Sequence, residues 1–412
     1  MAAALEMQSL PFDPADARAV LAQLPQCAAV FALYGAEAHA EPYIGRTPNL
    51  RGRLERLLIP SDKHPKRLQL AGRVRRIEWR HTGSEFESLL VQFALLHAVY
   101  GAKSLERMHL KAPAFVRFLG SNPYPRVVVT HRPSQREAEW AYGPFASRAA
   151  AERYVDEALK LFLLRRCTED LNPDPGHPGC VYSEMKMCLA PCYKGCTDRR
   201  YAEEAAAVEG FLATRGESRL VVLRAEREKA SGALEFETAA SIHAQVQRVE
   251  SVRALATELV RPMSRLRALI LQAAGAPDAV AVFLFKHGRL SGPQDFSTLG
   301  MRIQNEQSGS SSLFAQPAAM EAVPENPPAT AARSARGVLE ERMESVLAEL
   351  AAAHAAPSQA ERQGHMALLK RWYYRPEARR VGEIFFPDAE EKWPIKAVLR
   401  GVGRVAARSL QS

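Results

Sequence analysis

Five of the six cysteines fall within 30 residues, and this cluster constrains the fold more than any other sequence feature. The five are Cys167, Cys180, Cys188, Cys192 and Cys196. Prolines and glycines between residues 172 and 179 interrupt regular structure there. The chain starts without a basic segment followed by an apolar one, so we expect no signal peptide and a cytoplasmic location. In a reducing compartment such a cluster is typical of a metal or cluster site rather than of disulfides.

The composition is that of a basic, soluble protein with several cores. Of the 412 residues, 47% are hydrophobic and 25% charged, which suits roughly two to four domains. No stretch approaches the ~20 consecutive apolar residues of a membrane helix, so we expect no membrane partner. The net charge of +9 is compatible with a nucleic-acid partner and equally with a basic soluble enzyme.

Positive charge is concentrated between residues 51 and 80. Ten lysines and arginines stand there against three acidic residues. Such a local excess suits the phosphate backbone of DNA. We therefore assign DNA binding to Arg51, Arg56, Lys63, Lys66 and Arg67.

Hydrophobic periodicity predicts an α+β fold with several domains. Strand, loop, strand and helix are expected over residues 26–58, and Thr47 is the expected N-cap of that helix. Further expected elements are a strand (74–82), a buried helix (86–100), a strand pair near 115–131, a helix (147–166), a helix (200–216), a helical hairpin (218–260), a β-hairpin (280–292), a linker (303–336) and a helix (337–355).

The first two strands and the helix after them carry a recognisable motif. Ala29-Val30-Phe31, then Tyr43-Ile44-Gly45-Arg46 and Leu50-Arg51-Gly52-Arg53-Leu54, resemble the GIY-YIG nuclease module. The resemblance implies that Tyr43, Arg46 and Arg53 surround a scissile phosphate. It also implies a glutamate on a later helix that holds one divalent metal. Metal and arginines would neutralise the charge that develops on the phosphate.

Three positions depart from the pattern of that module. One is Leu57, which stands where a further tyrosine or histidine is usual. Phe31 stands where the family has its first tyrosine, and Gln92 stands where it has the metal-binding glutamate. A neutral amide binds a hard cation poorly compared with a carboxylate. Glu85 lies on nearly the same helix face but roughly 10 Å away along the axis, so it does not reach the position of Gln92. We therefore expect a degenerate site with no assigned metal; Mg²⁺ or Mn²⁺ would be needed only by an active nuclease.

The sequence around the cysteines resembles the UvrC family of bacterial excinuclease subunits. The matching segments are YGPFASRAAAERYVDEALKLFLLRRC, CLAPCYKG and RYAEEAAAVEGFL. The resemblance implies that four thiolates ligate a [4Fe–4S] cluster, namely Cys167, Cys180, Cys188 and Cys192. Tetrahedral Zn²⁺ suits the same four ligands, and buried free thiols are a third possibility. Cys196 is additional to the family pattern.

Residues 234–252, LEFETAASIHAQVQRVESV, resemble the UVR motif. In the UvrC family this helical hairpin docks on a hairpin of UvrB. The resemblance implies that Leu234, Phe236 and Glu237 contact a UvrB-like partner. His243-Ala244 depart from the usual Arg-Asp, and a purely intramolecular helix pair is the alternative.

The C-terminal part carries a basic-aromatic stretch, Arg371-Trp372-Tyr373-Tyr374-Arg375. These side chains suit either stacking on nucleic acid or a core position with arginines reaching out to solvent. Spaced acidic residues for a second, RNase H-like nuclease are not found in the sequence, so we expect that domain to be lacking.

The resemblance implies a UvrC-related DNA-binding protein of nucleotide excision repair with a degenerate GIY-YIG site. Two alternatives are an active metal-dependent endonuclease that makes a single incision near a lesion, and a cluster-bearing adaptor that competes for a UvrB-like partner. The expected domains are an N-terminal extension (1–24), a GIY-YIG-like α/β module (25–105), connecting strands and helix (106–166), the cysteine cluster segment (167–199), a UVR-type helical hairpin (200–262), a β segment (263–302), a flexible linker (303–336) and a mixed α/β C-terminal region (337–412).

Overall fold

The computed structural model describes residues 6–37, 40–59, 70–299, 301, 329–352 and 356–409. The fold is α+β, with three four-stranded sheets among the described residues. The chain divides into two compact units, which we describe separately. The first unit contains Met1–Leu110, Arg267–Leu368 and Arg375–Ser412, and the second contains Lys111–Leu266 and Leu369–Tyr374.

The N-terminal sheet of the first unit has the strand order β1-β4-β2-β3, with every pair antiparallel. Its strands are β1 (Gln8–Pro11), β2 (Ala29–Gly35), β3 (Tyr43–Thr47) and β4 (Val74–His81). Its helices are α1 (Ala17–Ala22), α2 (Leu50–Leu58), α3 (Glu85–Tyr100) and α4 (Ser104–Arg107). The leucines of α1 and α2 pack into one core with alternate residues of β2, while α3 packs against β2 and β3. Residues 8–11, which the sequence assigns to an N-terminal extension, are an edge strand of this sheet.

The start of α2 differs from the prediction. The helix begins at Leu50, and its N-cap is Asn49, whose side-chain oxygen accepts a hydrogen bond from the Gly52 amide at 2.9 Å. Thr47, the predicted cap, is still paired with Ala29 in the sheet. Its hydroxyl accepts a hydrogen bond from the Asn49 amide at 3.2 Å. The prediction was wrong because a residue held in a strand ladder just before the helix cannot reach the free amides of its first turn.

Helix α3 is apolar almost all round. Together with α4 it forms a stretch, Glu85–Arg107, that is long and apolar enough by composition to cross a membrane, at a mean hydropathy of 1.2. Its core position explains the composition, since its large apolar side chains Phe86, Leu89, Leu90, Val91, Phe93 and Leu96 are buried. A buried core helix passes the same composition test.

A second sheet of the first unit has the order β11-β10-β9-β12. Its strands are β9 (Ala268–Ala273), β10 (Ala279–Lys286), β11 (Arg289–Ser297) and β12 (Glu383–Phe385). Helices α10 (Ala329–Ala351) and α12 (Ile395–Ser409) cover one face, and α11 spans Gln359–Tyr373. Helix α10 begins at Ala329, within the range that the sequence assigns to the linker, and residues 302–328 lie outside the described residues.

The second unit packs a sheet of order β6-β5-β7-β8 against helices. Its strands are β5 (Ala114–Phe118), β6 (Val127–Thr130), β7 (Ala141–Phe145) and β8 (Arg261–Pro262). Its helices are α5 (Arg148–Leu159), α6 (Val181–Glu184), α7 (Asp198–Ala213), α8 (Glu217–Gly232) and α9 (Phe236–Ala254). One apolar core joins β5, β7, α5, α7, α8 and α9.

Helix α5 ends seven residues earlier than predicted. The Arg166 guanidinium donates to the Leu159 carbonyl at 2.8 Å and so satisfies one of the free carbonyls at the helix end. Beyond it, Phe162 and Leu164 leave the helix and enter the core of the second unit. The sequence pattern stays amphipathic up to residue 166 because Phe162 and Leu164 are apolar and buried, although they lie outside the helix.

Candidate functional site

The predicted nuclease residues meet at the corner where β3 leads into α2. Tyr43 and Arg46 lie on β3, and Arg53 lies one turn into α2. The Arg53 Nη2 donates to the Tyr43 hydroxyl at 3.5 Å, so these two side chains are adjacent and both are partly exposed. A phenol and a guanidinium at this separation can contact one phosphate together.

Phe31 is a core residue of the same corner. It pairs with Gly45 in the β2–β3 ladder, is 1% exposed, and its ring centroid lies 6.1 Å from that of Tyr43. A Cβ on residue 45 would come within 2.7 Å of the ring, so glycine is required there. Phe31 thus supports Tyr43 by packing and presents no polar atom to the site.

A carboxylate from α3 lies at this site although the sequence did not place it there. Glu85 forms an ion pair with Arg46, with 3.4 Å between Nη1 and Oε1. It also accepts two hydrogen bonds from Arg375, at 2.7 and 2.9 Å. This bidentate geometry is the strong form of an arginine–carboxylate contact. Glu85 therefore holds two cations together at the edge of the predicted phosphate site.

Gln92 lies two turns beyond Glu85 on the same face of α3. Since Glu85 contacts Arg46 on β3, this face of α3 is turned towards β3 at the start of the helix. The side chain of Gln92 is half-buried. Within the described ranges, no group of three or more His, Cys, Asp or Glu side chains is placed to hold a metal ion.

Glu87, the other acidic neighbour of Gln92, serves the start of α3. The Glu87 carboxylate accepts a hydrogen bond from the Gly83 amide at 2.8 Å. The backbone amide of Glu87 donates to the Ser84 hydroxyl at 3.1 Å. Burial raises the pKa of the Glu87 carboxyl. This side chain is 4% exposed and is used in the helix cap.

The predicted DNA-binding arginines have different surroundings. Arg51 is half-buried and donates from Nε to the Leu24 carbonyl at 2.7 Å. Arg56 is exposed on the last turn of α2, where its Nε donates to the Gly52 carbonyl at 2.9 Å. The remaining three, Lys63, Lys66 and Arg67, lie outside the described residues.

The residues of the basic-aromatic stretch have two different surroundings. In the second unit, the Tyr374 hydroxyl donates to the Pro144 carbonyl at 2.9 Å and is 3.0 Å from the Thr257 hydroxyl. Burial raises the pKa of Tyr374 to about 12. Trp372 is 3% exposed. Trp372 is thus a core residue and Tyr374 is hydrogen-bonded within the second unit, whereas Arg375 belongs to the Glu85 site in the first unit.

The cysteine segment is folded back on itself by backbone hydrogen bonds. The Leu189 amide donates to the Leu163 carbonyl at 3.0 Å, and the Asp174 amide donates to the Cys192 carbonyl at 2.9 Å. Ala190 and Lys194 have left-handed backbone conformations, with φ of 55° and 58°, around a short helical turn at Pro191–Tyr193. These contacts bring the separate cysteine positions into one region of the second unit.

The thiol of Cys188 is influenced by burial and by three other cysteines of the segment. Burial, together with the nearby Cys167, Cys180 and Cys192, raises the pKa of the Cys188 thiol to about 11. The pKa of Cys196 is raised by burial and by Asp198 rather than by another cysteine. Cys188 therefore interacts electrostatically with the other three predicted ligands, Cys196 is influenced by Asp198 and Arg200 instead, and the ligand set itself stays a prediction.

Two of the sulfurs already accept hydrogen bonds. The Ala190 amide lies 3.3 Å from the Cys188 sulfur, and the Arg165 Nη1 lies 3.5 Å from the Cys167 sulfur. Donors of this kind stabilise thiolates in metal and cluster sites. These donors would suit thiolate ligands, although the described cysteines do not form a group of three or more placed to hold a metal ion.

The tip of the α8–α9 hairpin is apolar and exposed. Leu234 and Phe236 have 72% and 67% of their surface exposed, and Glu237 beside them is also exposed. Further along α9, Val246, Val249 and Val252 are buried in the core of the second unit. The base of the hairpin is therefore part of the domain, while its tip projects two large apolar side chains into solvent.

The second unit also carries the match to a known family. Residues 115–211, from β5 through most of α7, match the family of the UvrC/Cho excinuclease middle domain. This range includes all five clustered cysteines. The chain is therefore a UvrC-like protein.

Individual relatives extend the similarity beyond the middle domain. UvrABC system protein C of Alcanivorax borkumensis is 28% identical over 51% of this chain and 34% of its own length. The protein of that name from Pseudomonas entomophila is 30% identical over 58% of this chain and 39% of its own length. That from Ruminiclostridium cellulolyticum is 27% identical over 68% and 46%. The similarity thus spans between a third and a half of these relatives, and no solved structure matches the chain.

Proposed function

We propose that this protein binds DNA in nucleotide excision repair through a GIY-YIG-type site that holds the DNA backbone without cutting it. The observation that carries the proposal is the grouping of Tyr43, Arg46 and Arg53 at one corner, with neutral Gln92 on the facing helix. Cations and a phenol remain available for a phosphate, while the expected metal carboxylate is replaced by an amide. The name of the relatives, UvrABC system protein C, supports the pathway.

Arg53→Ala is expected to weaken DNA binding independently of sequence, because Arg53 would contact phosphate. The slope of log affinity against log salt should fall by about one for each phosphate that the variant no longer neutralises. Gel shifts of the full chain on lesion-bearing duplex at several salt concentrations measure this slope. Arg148→Ala is the matched control, since Arg148 is an exposed arginine paired with Glu152 in the second unit. An unchanged slope in Arg53→Ala would show that DNA is held elsewhere.

An active endonuclease is the second candidate, and Glu85 is the observation that favours it. Its carboxylate lies against Arg46, inside the predicted site, although Gln92 cannot supply one. A shift of the Arg375 side chain would release Glu85 oxygens for a divalent cation, since carboxylates are the preferred ligands of Mg²⁺. Incision of end-labelled DNA by the parent protein in Mg²⁺ or Mn²⁺ separates this candidate from the first.

For the cysteine site we propose a [4Fe–4S] cluster held by Cys167, Cys180, Cys188 and Cys192, with Zn²⁺ as the alternative. The hydrogen-bond donors on two of the sulfurs, and the electrostatic interaction of Cys188 with the other three thiols, support either centre. When bound, such a centre would cross-link a segment with little regular structure. The cysteines would hold it, and the backbone of 188–195 would orient two of the ligands.

We propose that the hairpin tip binds a UvrB-like partner. Such a contact is also what the alternative function, an adaptor that competes for this partner, would require. Phe236→Ser is expected to weaken binding to a UvrB-type protein at least tenfold and to leave the melting temperature unchanged, since Phe236 is mostly exposed. Calorimetry of the purified pair measures the affinity. Val221→Ser is the control, an equally exposed apolar residue near the other end of α8. Equal affinities for both variants would rule out the tip as the contact.

A further inference from the structure

A groove of about 710 Å³ runs between helices α5 and α9 of the second unit. We call it the α5–α9 groove: Arg153 and Lys160 line it from α5 and the residue that ends α5, and Arg248 lines it from α9. Leu161 and Val252 belong to its apolar part. Both helices contribute to the core of the second unit, so the two walls of the groove belong to one folded unit.

The charged side chains that line the α5–α9 groove are mostly cationic. Within the described residues it has three cations and one carboxylate, Glu157, which lies 2.7 Å from the Lys160 Nζ. Both side chains of this ion pair reach solvent, so the pair adds little stability and Lys160 can exchange Glu157 for another anion. Arg153 and Arg248 are exposed and make no hydrogen bond or ion pair with any residue that the structure describes. Two arginines that no acidic side chain neutralises favour an anionic ligand.

The cations lie on both walls of the groove. Arg153 and Lys160 are about two helical turns apart, or roughly 10 Å along α5, and Arg248 lines the wall that α9 forms. The axes of packed helices are about 8–10 Å apart, so the groove between them admits one extended chain. A DNA duplex is too wide, since its major groove alone measures about 12 Å. A single strand, with a phosphate in every nucleotide, fits both the width and the charge of the groove.

The uncharged lining of the α5–α9 groove indicates which parts of a strand it would contact. Leu161, Val252 and Leu255 offer apolar surface to sugar rings, and Gln247 offers an amide. Among the groove residues that the structure describes, none is aromatic, so the bases have no ring to stack on. Binding in this groove is therefore expected to depend on the backbone and not on the bases.

We propose that the α5–α9 groove binds the phosphate backbone of a single DNA strand, with Arg153 and Arg248 as the principal phosphate contacts and Lys160 as a third. The proposal rests on the proposed function in one respect, namely that the chain binds DNA, and it adds a second contact surface in the other unit. An acidic protein segment is the other anion of similar width. The strand is favoured because it carries a charge on every unit and so meets cations on both walls, and because DNA is the ligand proposed for the first unit.

The experiment compares the parent full-length chain with Arg153→Gln/Arg248→Gln, which removes both unpaired charges, and with Arg153→Lys/Arg248→Lys, which keeps them. Arg132→Gln/Arg136→Gln is the matched control, because these are exposed arginines of the same unit outside the groove. Fluorescence anisotropy with a labelled poly-dT oligonucleotide measures affinity at several salt concentrations. An abasic strand of equal length replaces the poly-dT in a second series. Thermal melting shows whether each variant is folded.

Arg153→Gln/Arg248→Gln is expected to bind the strand at least about tenfold more weakly than the parent, with a salt slope about 1.4 smaller, since each single-strand phosphate contributes about 0.7. The same loss is expected with the abasic strand, because the groove would contact only the backbone. Arg153→Lys/Arg248→Lys should stay within about threefold of the parent, since the charges are kept. The Arg132→Gln/Arg136→Gln control should also stay within about threefold, and all variants should melt as the parent does.

An affinity and a salt slope equal to those of the parent in Arg153→Gln/Arg248→Gln overturn the proposal, and so does a loss of the same size in the Arg132→Gln/Arg136→Gln control or a loss confined to poly-dT. An oligo-glutamate peptide that binds the parent but not the groove variant, with strand binding unchanged, assigns the groove to an acidic protein segment instead. A parent that binds neither the strand nor lesion-bearing duplex overturns the proposed function as well. Duplex binding that depends on Arg53, with parent-like strand binding by the groove variant, removes only the groove and leaves the proposed function standing.

Discussion

We expect Cys188→Ser to abolish the metal binding proposed above and to lower the melting temperature of the second unit by roughly 10 °C or more, at 2–4 °C per kcal/mol for a unit of this size. The reason is that Cys188 is one of the four proposed ligands and interacts electrostatically with the other three. The segment between α5 and α7 contains only short helical turns, so a central ligand cross-links much of it. Visible absorption, metal analysis and thermal melting of the anaerobic protein measure the effect.

Cys196→Ser is the matched control for this substitution. Cys196 belongs to the same segment, and the charges that affect its thiol come from Asp198 and Arg200 rather than from a cysteine. It should retain the metal content of the parent and melt within about 2 °C of it. Equal, small effects of the two serine substitutions would instead mean that the thiols are free, which is the third possibility raised by the sequence.

The second large effect is expected from Gln92→Glu, which should create metal-dependent DNA cutting at least 100-fold above the parent. The substitution places a carboxylate two turns beyond Glu85, on the face of α3 that contacts Arg46 through Glu85. A single electrostatic contribution at the reacting phosphate is typically worth a factor of about 10² to 10³ in rate. Incision of end-labelled lesion-bearing duplex in Mg²⁺ or Mn²⁺ measures it, alone and combined with Phe31→Tyr.

Two controls make the Gln92→Glu result specific. Arg53→Ala added to Gln92→Glu should abolish the new cutting, since Arg53 adjoins the Tyr43 hydroxyl. Cutting by the unmodified parent that disappears in Glu85→Gln would contradict our proposal and identify Glu85 as the metal ligand. A silent Gln92→Glu with normal DNA binding would mean that replacing the amide alone does not restore the site.

Most local structure followed from sequence patterns. The strands at 29–35, 43–47 and 74–81, the apolar helix α3, the α8–α9 hairpin and the β10–β11 hairpin were all predicted, because each has a clear hydrophobic period bounded by turn residues. Element ends were predicted less well. Asn49 rather than Thr47 caps α2, and Arg166 ends α5, since both ends depend on which backbone groups are already bonded.

The two candidate sites differ in how far sequence could describe them. The motif residues Tyr43 and Arg53 are ten residues apart on adjacent elements, so their contact follows from local structure. Arg375 reaches Glu85 across 290 positions, and no periodicity connects such residues. Arg153 and Arg248 likewise lie on two helices that only the tertiary structure brings to one groove.

What the sequence by itself determined is the set of chemical groups and their local order: four cysteines in a UvrC-like middle domain, a corner with Tyr43 and Arg53, and a neutral Gln92 in place of a carboxylate. Only the tertiary structure decided which charges meet. Glu85 with two arginines, and the cations on both walls of the α5–α9 groove, arise from packing between segments distant along the chain. The physical reason is that propensity and periodicity act over a few residues, whereas burial of a charge depends on every element that closes around it.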